Sequence, residues 1–192
     1  MESKIILCTG GSRSGKSVFA EKLALSLEGQ KVYIATATVY DEEMEERVAR
    51  HQERRGSEWI NIECPSGLAK KWESISKQGS VILVDCLTML VTNALMQYPN
   101  MDEATHREEF RTVVLQDVQT LLEQIRVSEN KTVIFVTNEL GLGIIPSNAV
   151  ARVFRDVVGE VNQLVAEIAH EVYLSVSGIT MEIKSKETRI DG

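Results

Sequence analysis

The sequence is poor in the residues that mark nucleic-acid binders, disulfide scaffolds and membrane proteins. Only 5% of its 192 residues are aromatic, too few for a platform that stacks successive bases. Lys and Arg number 21 against 28 Asp and Glu, a net charge of −7, whereas a general nucleic-acid binder carries a basic excess. The three cysteines, Cys8, Cys64 and Cys86, form no C-x-x-C pair. Their odd count disfavours a disulfide framework and a zinc site and fits a reducing cytosol. The N-terminal apolar run Ile5–Cys8 is too short for a signal-peptide core. No stretch approaches the ~18 apolar residues of a membrane span. What is present, 43% hydrophobic and 26% charged residues, is ordinary for a globular protein. A chain of this length buries about 70% of its unfolded surface and needs no staple. The expectation is one cytoplasmic domain over residues 1–192, with 184–192 as a short C-terminal tail and neither nucleic acid nor membrane as partner. If it handles phosphate, a local site must do so, not its overall field.

Apolar runs and helical periodicities alternate along the chain. Lys4–Thr9, Lys31–Thr36, Ser80–Val84 and Thr132–Val136 read as buried strands, and Trp59–Glu63 as a short one. Helical spacing is expected over Ser17–Leu27, Asp41–Arg55, Leu68–Ile75, Leu87–Met96, Asp102–Val127 and Asn148–Glu171. Val172–Val176 and Thr180–Ile183 flank Ser177-Gly178 and predict a terminal hairpin. Strands alternating with helices imply an α/β fold with a mainly parallel sheet covered on both faces. Ligands of such sheets bind beyond the carboxyl ends of the strands.

Gly10-Gly11-Ser12-Arg13-Ser14-Gly15-Lys16-Ser17 fits G-x-x-x-x-G-K-[ST] without a mismatch, after a strand and before a helix. The glycines permit backbone conformations that a side chain blocks. The loop N–H groups then converge on phosphate oxygens, aided by the following helix N-terminus. Lys16 neutralises the outer phosphates, and the Ser17 hydroxyl can join Mg²⁺ coordination. Asp85, closing an apolar strand, supplies the expected acid near the metal or its water. The motif thus predicts a nucleoside triphosphate bound with Mg²⁺ on a P-loop.

Of the three histidines, His106 lies on a charged helix and His170 ends a helix, where the dipole favours a cation; both read as structural or solvated. His51 sits among Arg47, Arg50, Arg54 and Arg55, sharing a helical face with Met44, Val48 and Arg55. Spacing supports two readings. His51 borders the apolar stripe of a solvated helix, or it is a nucleophile or general base among phosphate-clamping guanidinium groups.

Several segments together resemble the bifunctional adenosylcobinamide kinase/adenosylcobinamide-phosphate guanylyltransferase family. They are Thr9–Ser17, Y-I-A-T-A (Tyr33–Ala37), D-E-E-M-x-x-R-V-x-x-H-x-x-R-R (Asp41–Arg55), D-C-L-T-M-L-V-T-N (Asp85–Asn93), V-T-N-E-L-G-L-G-I-I-P (Val136–Pro146) and R-V-F-R-D-V-V-G-E-V-N-Q (Arg152–Gln163). The resemblance implies a RecA-like P-loop fold and two reactions. Adenosylcobinamide is phosphorylated by ATP or GTP. GMP is then transferred from GTP to adenosylcobinamide phosphate, giving adenosylcobinamide-GDP and pyrophosphate. It also implies that His51 carries the GMP covalently and that members assemble as trimers. The implied nucleotide contacts are Gly10–Ser17, Ala35, Thr36, Ala37, Gln52, Glu53, Arg54, Arg55, Glu63 and Asp85. Asp85 stands where relatives can carry Glu, and Arg54 where a relative can carry Gly.

The loop grips the outer phosphates while guanylyl transfer needs attack at the α-phosphate. Helix Asp41–Arg55 is therefore expected to pack near the loop mouth or to move there. Asn138 and Glu139 read as acceptor- or metal-orienting groups, or as turn residues before Gly141 and Gly143. Arg152 and Arg155 read as phosphate or corrinoid contacts, or as partners of Asp156 and Glu160. Competing functions are a nucleotide-driven RecA-like switch or assembly module and a small-molecule kinase with a single activity.

Overall fold

The computed structural model describes residues 2–38, 56–98, 100–101 and 103–188. The expected helix Asp41–Arg55 lies outside them. Among the described residues, seven strands form one sheet: β1 (Lys4–Gly10), β2 (Lys31–Ala35), β3 (Trp59–Glu63), β4 (Val81–Asp85), β5 (Thr132–Val136), β6 (Glu171–Val176) and β7 (Ile179–Glu182). Their order is β3-β2-β4-β5-β1-β6-β7. Every pair is parallel except β6–β7, so the carboxyl ends of the first six strands share one edge.

The α-helices among the described residues are α1 (Lys16–Ser26), α2 (Leu68–Ser76), α3 (Leu87–Leu95), α4 (Ala104–Val127) and α5 (Ala149–Ile168). Strand alternation sends odd and even residues to opposite faces. Ile6, Cys8, Tyr33, Leu83, Ile134 and Val136 meet Ala20 and Ala24 of α1. On the other face, Ile5, Leu7, Ile34, Val84 and Phe135 pack against Trp72 of α2, Val91 of α3, Phe110 and Leu121 of α4, and Val157 and Val161 of α5. Burial on both faces explains why the parallel strands read as continuous apolar runs. No described helix is long and apolar enough to cross a membrane.

The strands fall where the periodicity places them, to within a residue. The largest boundary correction is at α5, expected through Glu171 but ending at Ile168. The following residues are claimed by the sheet: His170 N–H donates to the Ile5 carbonyl at 2.8 Å, and Glu171 opens β6. His170 takes a structural role: its Nδ1 accepts the Ile5 N–H at 3.1 Å.

Candidate phosphate-binding site at the carboxyl edge of the sheet

Gly10, with φ 151°, turns the chain out of β1. A Cβ there would lie 2.3 Å from the Ser175 carbonyl oxygen and 2.7 Å from Ser14 Oγ, so this crossing accepts only glycine. Gly15, with φ 96°, starts α1, which has no capping side chain and no acidic residue in its first turn. The positive end of the helix is therefore left to another anion.

The carbonyls of the loop are held from behind. Lys16 Nζ donates to the Gly11 carbonyl at 2.9 Å. Glu139 N–H donates to Gly10 at 3.1 Å, and Gly178 N–H to Ser14 at 2.9 Å. Binding their oxygens in this way favours a loop that presents N–H groups outward. Ser14 Oγ is buried and has no hydrogen-bond partner among the described residues, an orphan that a phosphate oxygen would satisfy. Below the loop, burial pushes the Cys8 thiol up to about 12, helped by the negative charges of Asp85 and Glu171. The thiol is inert there.

Asp85 closes β4 on the same edge. Tyr33, 3% exposed on β2, donates its hydroxyl to Asp85 Oδ2 at 2.9 Å, which fixes the carboxylate. Thr36 N–H donates to the Asp85 carbonyl at 3.1 Å. The Thr36 hydroxyl accepts from Cys86 N–H at 2.6 Å and donates to the Cys86 carbonyl at 2.8 Å. Thr36 is thus fully buried and braces the chain leaving β4, while Ala35 and Ala37 beside it are half-buried. Glu63 ends β3 and is exposed. Asn93 of α3 ties this corner together, donating to the Thr36 and Pro65 carbonyls at 2.8 Å each.

β5 runs between β1 and β4, so Thr137, Asn138 and Glu139 leave the sheet between the phosphate loop and Asp85. A buried polar cluster fixes that exit. Thr137 Oγ1 donates to Asn162 Oδ1 at 2.7 Å, Asn162 Nδ2 donates to the Asn138 carbonyl at 3.0 Å, and Asn138 N–H donates to Thr88 Oγ1 at 2.8 Å. Glu139 Oε1 accepts the Gly141 N–H at 2.7 Å, the turn chemistry that was one of its two readings. Arg155 pairs with Asp156 at 3.3 Å. Arg152 donates to the Pro146 and Ser147 carbonyls at 2.9 and 2.6 Å. Glu160 is held by Arg111 instead, at 2.8 Å.

The structure therefore brings Gly10–Ser17, Ala35–Ala37, Glu63 and Asp85 to one edge. His51, Gln52, Glu53, Arg54 and Arg55 lie outside the described residues. Sequence reasoning missed three supports of the site. The bond between Tyr33 and Asp85 was signalled only by Tyr33 standing two residues before Ala35 in an apolar strand. Asn162 had a signal in its place on the buried stripe of α5, where a polar residue needs a partner. The docking of the hairpin turn Ser177-Gly178 on Ser14 and Gly15 had none, because a turn sequence does not name its tertiary partner.

The fold is shared with an ATPase of the type III secretion system of pathogenic bacteria, at TM-score 0.55 and 15% identity over 89% of this chain. The chain spans 50% of that ATPase chain. The chain is 38% identical over 183 residues to the bifunctional adenosylcobalamin biosynthesis protein CobU of Escherichia coli (strain K12), covering 94% of this chain and 99% of the relative. It is 39% identical over 182 residues to the Salmonella typhimurium (strain LT2) protein of that name, with the same shares covered. It is 36% identical over 180 residues to bifunctional adenosylcobalamin biosynthesis protein CobP of Pseudomonas aeruginosa, covering 94% and 97%. A family profile described as cobinamide kinase / cobinamide phosphate guanyltransferase matches residues 6–183. A phosphate loop, a fixed acid two strands away and a match along nearly the whole length converge: the chain belongs to the cobinamide kinase / cobinamide phosphate guanyltransferase family, transferases of adenosylcobalamin biosynthesis.

Proposed function

We propose that this chain catalyses both family reactions on its one phosphate loop, which the two nucleotides occupy in turn. The observation that carries the reading is the loop itself. It has an uncapped helix N-terminus, an orphaned Ser14 hydroxyl and carbonyls already bonded from behind, an arrangement suited to anionic phosphate. In the first reaction the hydroxyl oxygen of cobinamide attacks the γ-phosphorus of ATP or GTP. The bond from that phosphorus to the β-bridging oxygen breaks, the nucleoside diphosphate leaves, and the hydroxyl proton passes to solvent or a base. Lys16 holds the outer phosphates and offsets their developing charge.

In the second reaction a ring nitrogen of His51 attacks the α-phosphorus of GTP and pyrophosphate leaves. A phosphate oxygen of cobinamide phosphate then attacks the same phosphorus, breaking the N–P bond and forming the GDP-linked product. Arg54 and Arg55, with Gln52 and Glu53, bind the guanine nucleotide in this reading.

Mg²⁺ fits the donor set. It prefers hard oxygen ligands, keeps several waters and takes one or two protein groups beside substrate phosphates. The Ser17 hydroxyl and the Asp85 carboxylate provide such groups, with Tyr33 orienting the latter. No group of three or more metal-ligating side chains exists among the described residues. When bound, the ion supplies charge neutralisation on the phosphates. The chain works as a single domain and assembles as a trimer in this reading.

The test is incubation with α-labelled GTP followed by denaturation. Label retained by the wild type and lost by His51→Ala, with cobinamide phosphorylation spared, supports the reading. Equal retention in both proteins rejects His51 as the attachment site.

A further inference from the structure

Leu142, Ile144 and Ile145 are 87%, 96% and 69% exposed. Single exposed apolar residues are ordinary, but a cluster beside a polar site marks a surface that something covers. This cluster sits on an arc fixed at both ends. At its start, Glu139 is bonded to Gly10 of the phosphate loop, its carboxylate holds Gly141 N–H, and Leu140 is half-buried against the core. At its end, Arg152 grips the Pro146 and Ser147 carbonyls, and Asn148 Oδ1 accepts from Ala151 N–H at 3.0 Å to cap α5. The apolar side chains between these anchors are held in water at the edge where the phosphates bind. From Glu139 the three to six residues to this cluster span at most about 10–22 Å.

We infer that this arc is the subsite for the corrin macrocycle of the acceptor. The inference rests on the function proposed above. A phosphoryl acceptor must place its hydroxyl against the terminal phosphate, so its body must lie within an arm's length of the loop. Cobinamide is a broad macrocycle with methyl-covered faces, an amide-bearing rim and one hydroxyl-bearing arm. Its apolar face covers Leu142, Ile144 and Ile145, and its arm spans the distance back to Gly10–Ser17. A nucleotide does not suit this surface, because its phosphates belong in the loop and its sugar is polar. The arc's bond to the phosphate loop favours the acceptor over a second copy of the chain.

The test is equilibrium dialysis of the full chain with cobinamide, which is coloured, and separately with GTP. The variants are Leu142→Ser/Ile144→Ser and, as the conservative control, Leu142→Met/Ile144→Leu. The serine variant should raise the Kd for cobinamide at least tenfold and leave that for GTP within twofold, and the conservative variant should restore cobinamide binding. Both substitutions are on exposed side chains, and circular dichroism checks the fold. Ile145→Thr provides an independent variant with the same expected direction. If the wild type binds and phosphorylates cobinamide and the variants bind it equally well, the subsite is wrong and the function stands. If the variants change only the sedimentation coefficient, the arc is a contact between copies and the inference is overturned. If the wild type neither binds nor phosphorylates cobinamide, the functional reading falls and this inference with it.

Discussion

Replacing Asn162 by Ala tests whether the polar cluster under β5 holds the site's geometry. The side chain is 8% exposed and makes two bonds in opposite senses. It accepts from Thr137 Oγ1 at 2.7 Å and donates to the Asn138 carbonyl at 3.0 Å. Removing it strands one donor and one acceptor, each costing about 1–3 kcal/mol when unsatisfied and buried. The Thr137 hydroxyl can turn toward Thr88 Oγ1 at 3.2 Å, and Asn138 is only half-buried, so both losses fall toward the low end. The expected total is roughly 2–3 kcal/mol, built from those unit costs. In a protein of this size each kcal/mol shifts Tm by about 2–4 °C, giving a fall of about 4–12 °C. Trp59 and Trp72 are both buried, so their fluorescence reports urea unfolding directly. Asn162→Asp separates hydrogen bonding from packing. It keeps the volume and the acceptor for Thr137, but sets a carboxylate oxygen against the Asn138 carbonyl. If hydrogen bonding dominates, Asp is at least as damaging as Ala, and Asn162→Ala is non-additive with Thr137→Val in a double-mutant cycle. A loss below about 0.5 kcal/mol, the range of ordinary surface changes, or a harmless Asp, would refute the reasoning.

Gly10→Ala places a methyl 2.3 Å from the Ser175 carbonyl at a φ of 151°. Fluorescent GTP analogues should bind at least tenfold more weakly, and unchanged affinity would show that the loop yields there. Lys16→Ala should abolish detectable turnover in both reactions, and selective loss of one would mean that they do not share the loop. The hydrogen bond from Lys4 holds the Glu171 carboxyl below its ordinary range. Its contribution is therefore present above the unfolded Glu value near 4.3 and is lost as pH falls through the folded value. Lys4→Met should flatten the acid limb of stability by less than about 1 kcal/mol, since the pair is partly exposed. In native thiol labelling at pH 8, half-buried Cys86 should react before Cys8, whose thiol is pushed up to about 12 by burial; first reaction at Cys8 would contradict the packing of β1.

The legible part of this molecule is local or periodic. β1, the glycine loop and α1 are consecutive, so one stretch of sequence carries both the motif and its strand–loop–helix context. The alternation that buries Ile6 and Cys8 on one face and Ile5 and Leu7 on the other is likewise written in neighbouring residues. Asp85 could be placed at the carboxyl edge because a strand end is a local event. Contacts such as Tyr33 to Asp85, Asn162 to Asn138 and Gly178 to Ser14 join residues 52, 24 and 164 positions apart. Their polar atoms could have met several other partners of the same chemistry. His170 illustrates the point from the other side. Its position suggested a helix dipole partner, but the parallel pairing of β6 with β1 brought a backbone N–H to its ring nitrogen.

The same long-range contacts explain how an acidic chain can hold a strongly anionic ligand. A net charge of −7 repels phosphate only where the field is unscreened, and within about a Debye length of 8–10 Å the local groups decide. At the loop those groups are backbone dipoles and Lys16. Glu139 and Gly178 each bind a loop carbonyl through backbone N–H, offsetting the negative ends of the peptide dipoles from behind, while the positive end of α1 has no acidic residue in its first turn. In the proposed function, selectivity for phosphate would depend on residues that need not touch it, those after β5 and in the β6–β7 turn. A Cβ built on Gly15 would lie 3.3 Å from Gly178 Cα, so the hairpin turn sits tightly against a bare loop at that crossing. Gly178 itself is set by its φ of 82° and not by space, since a Cβ there meets nothing within 4 Å.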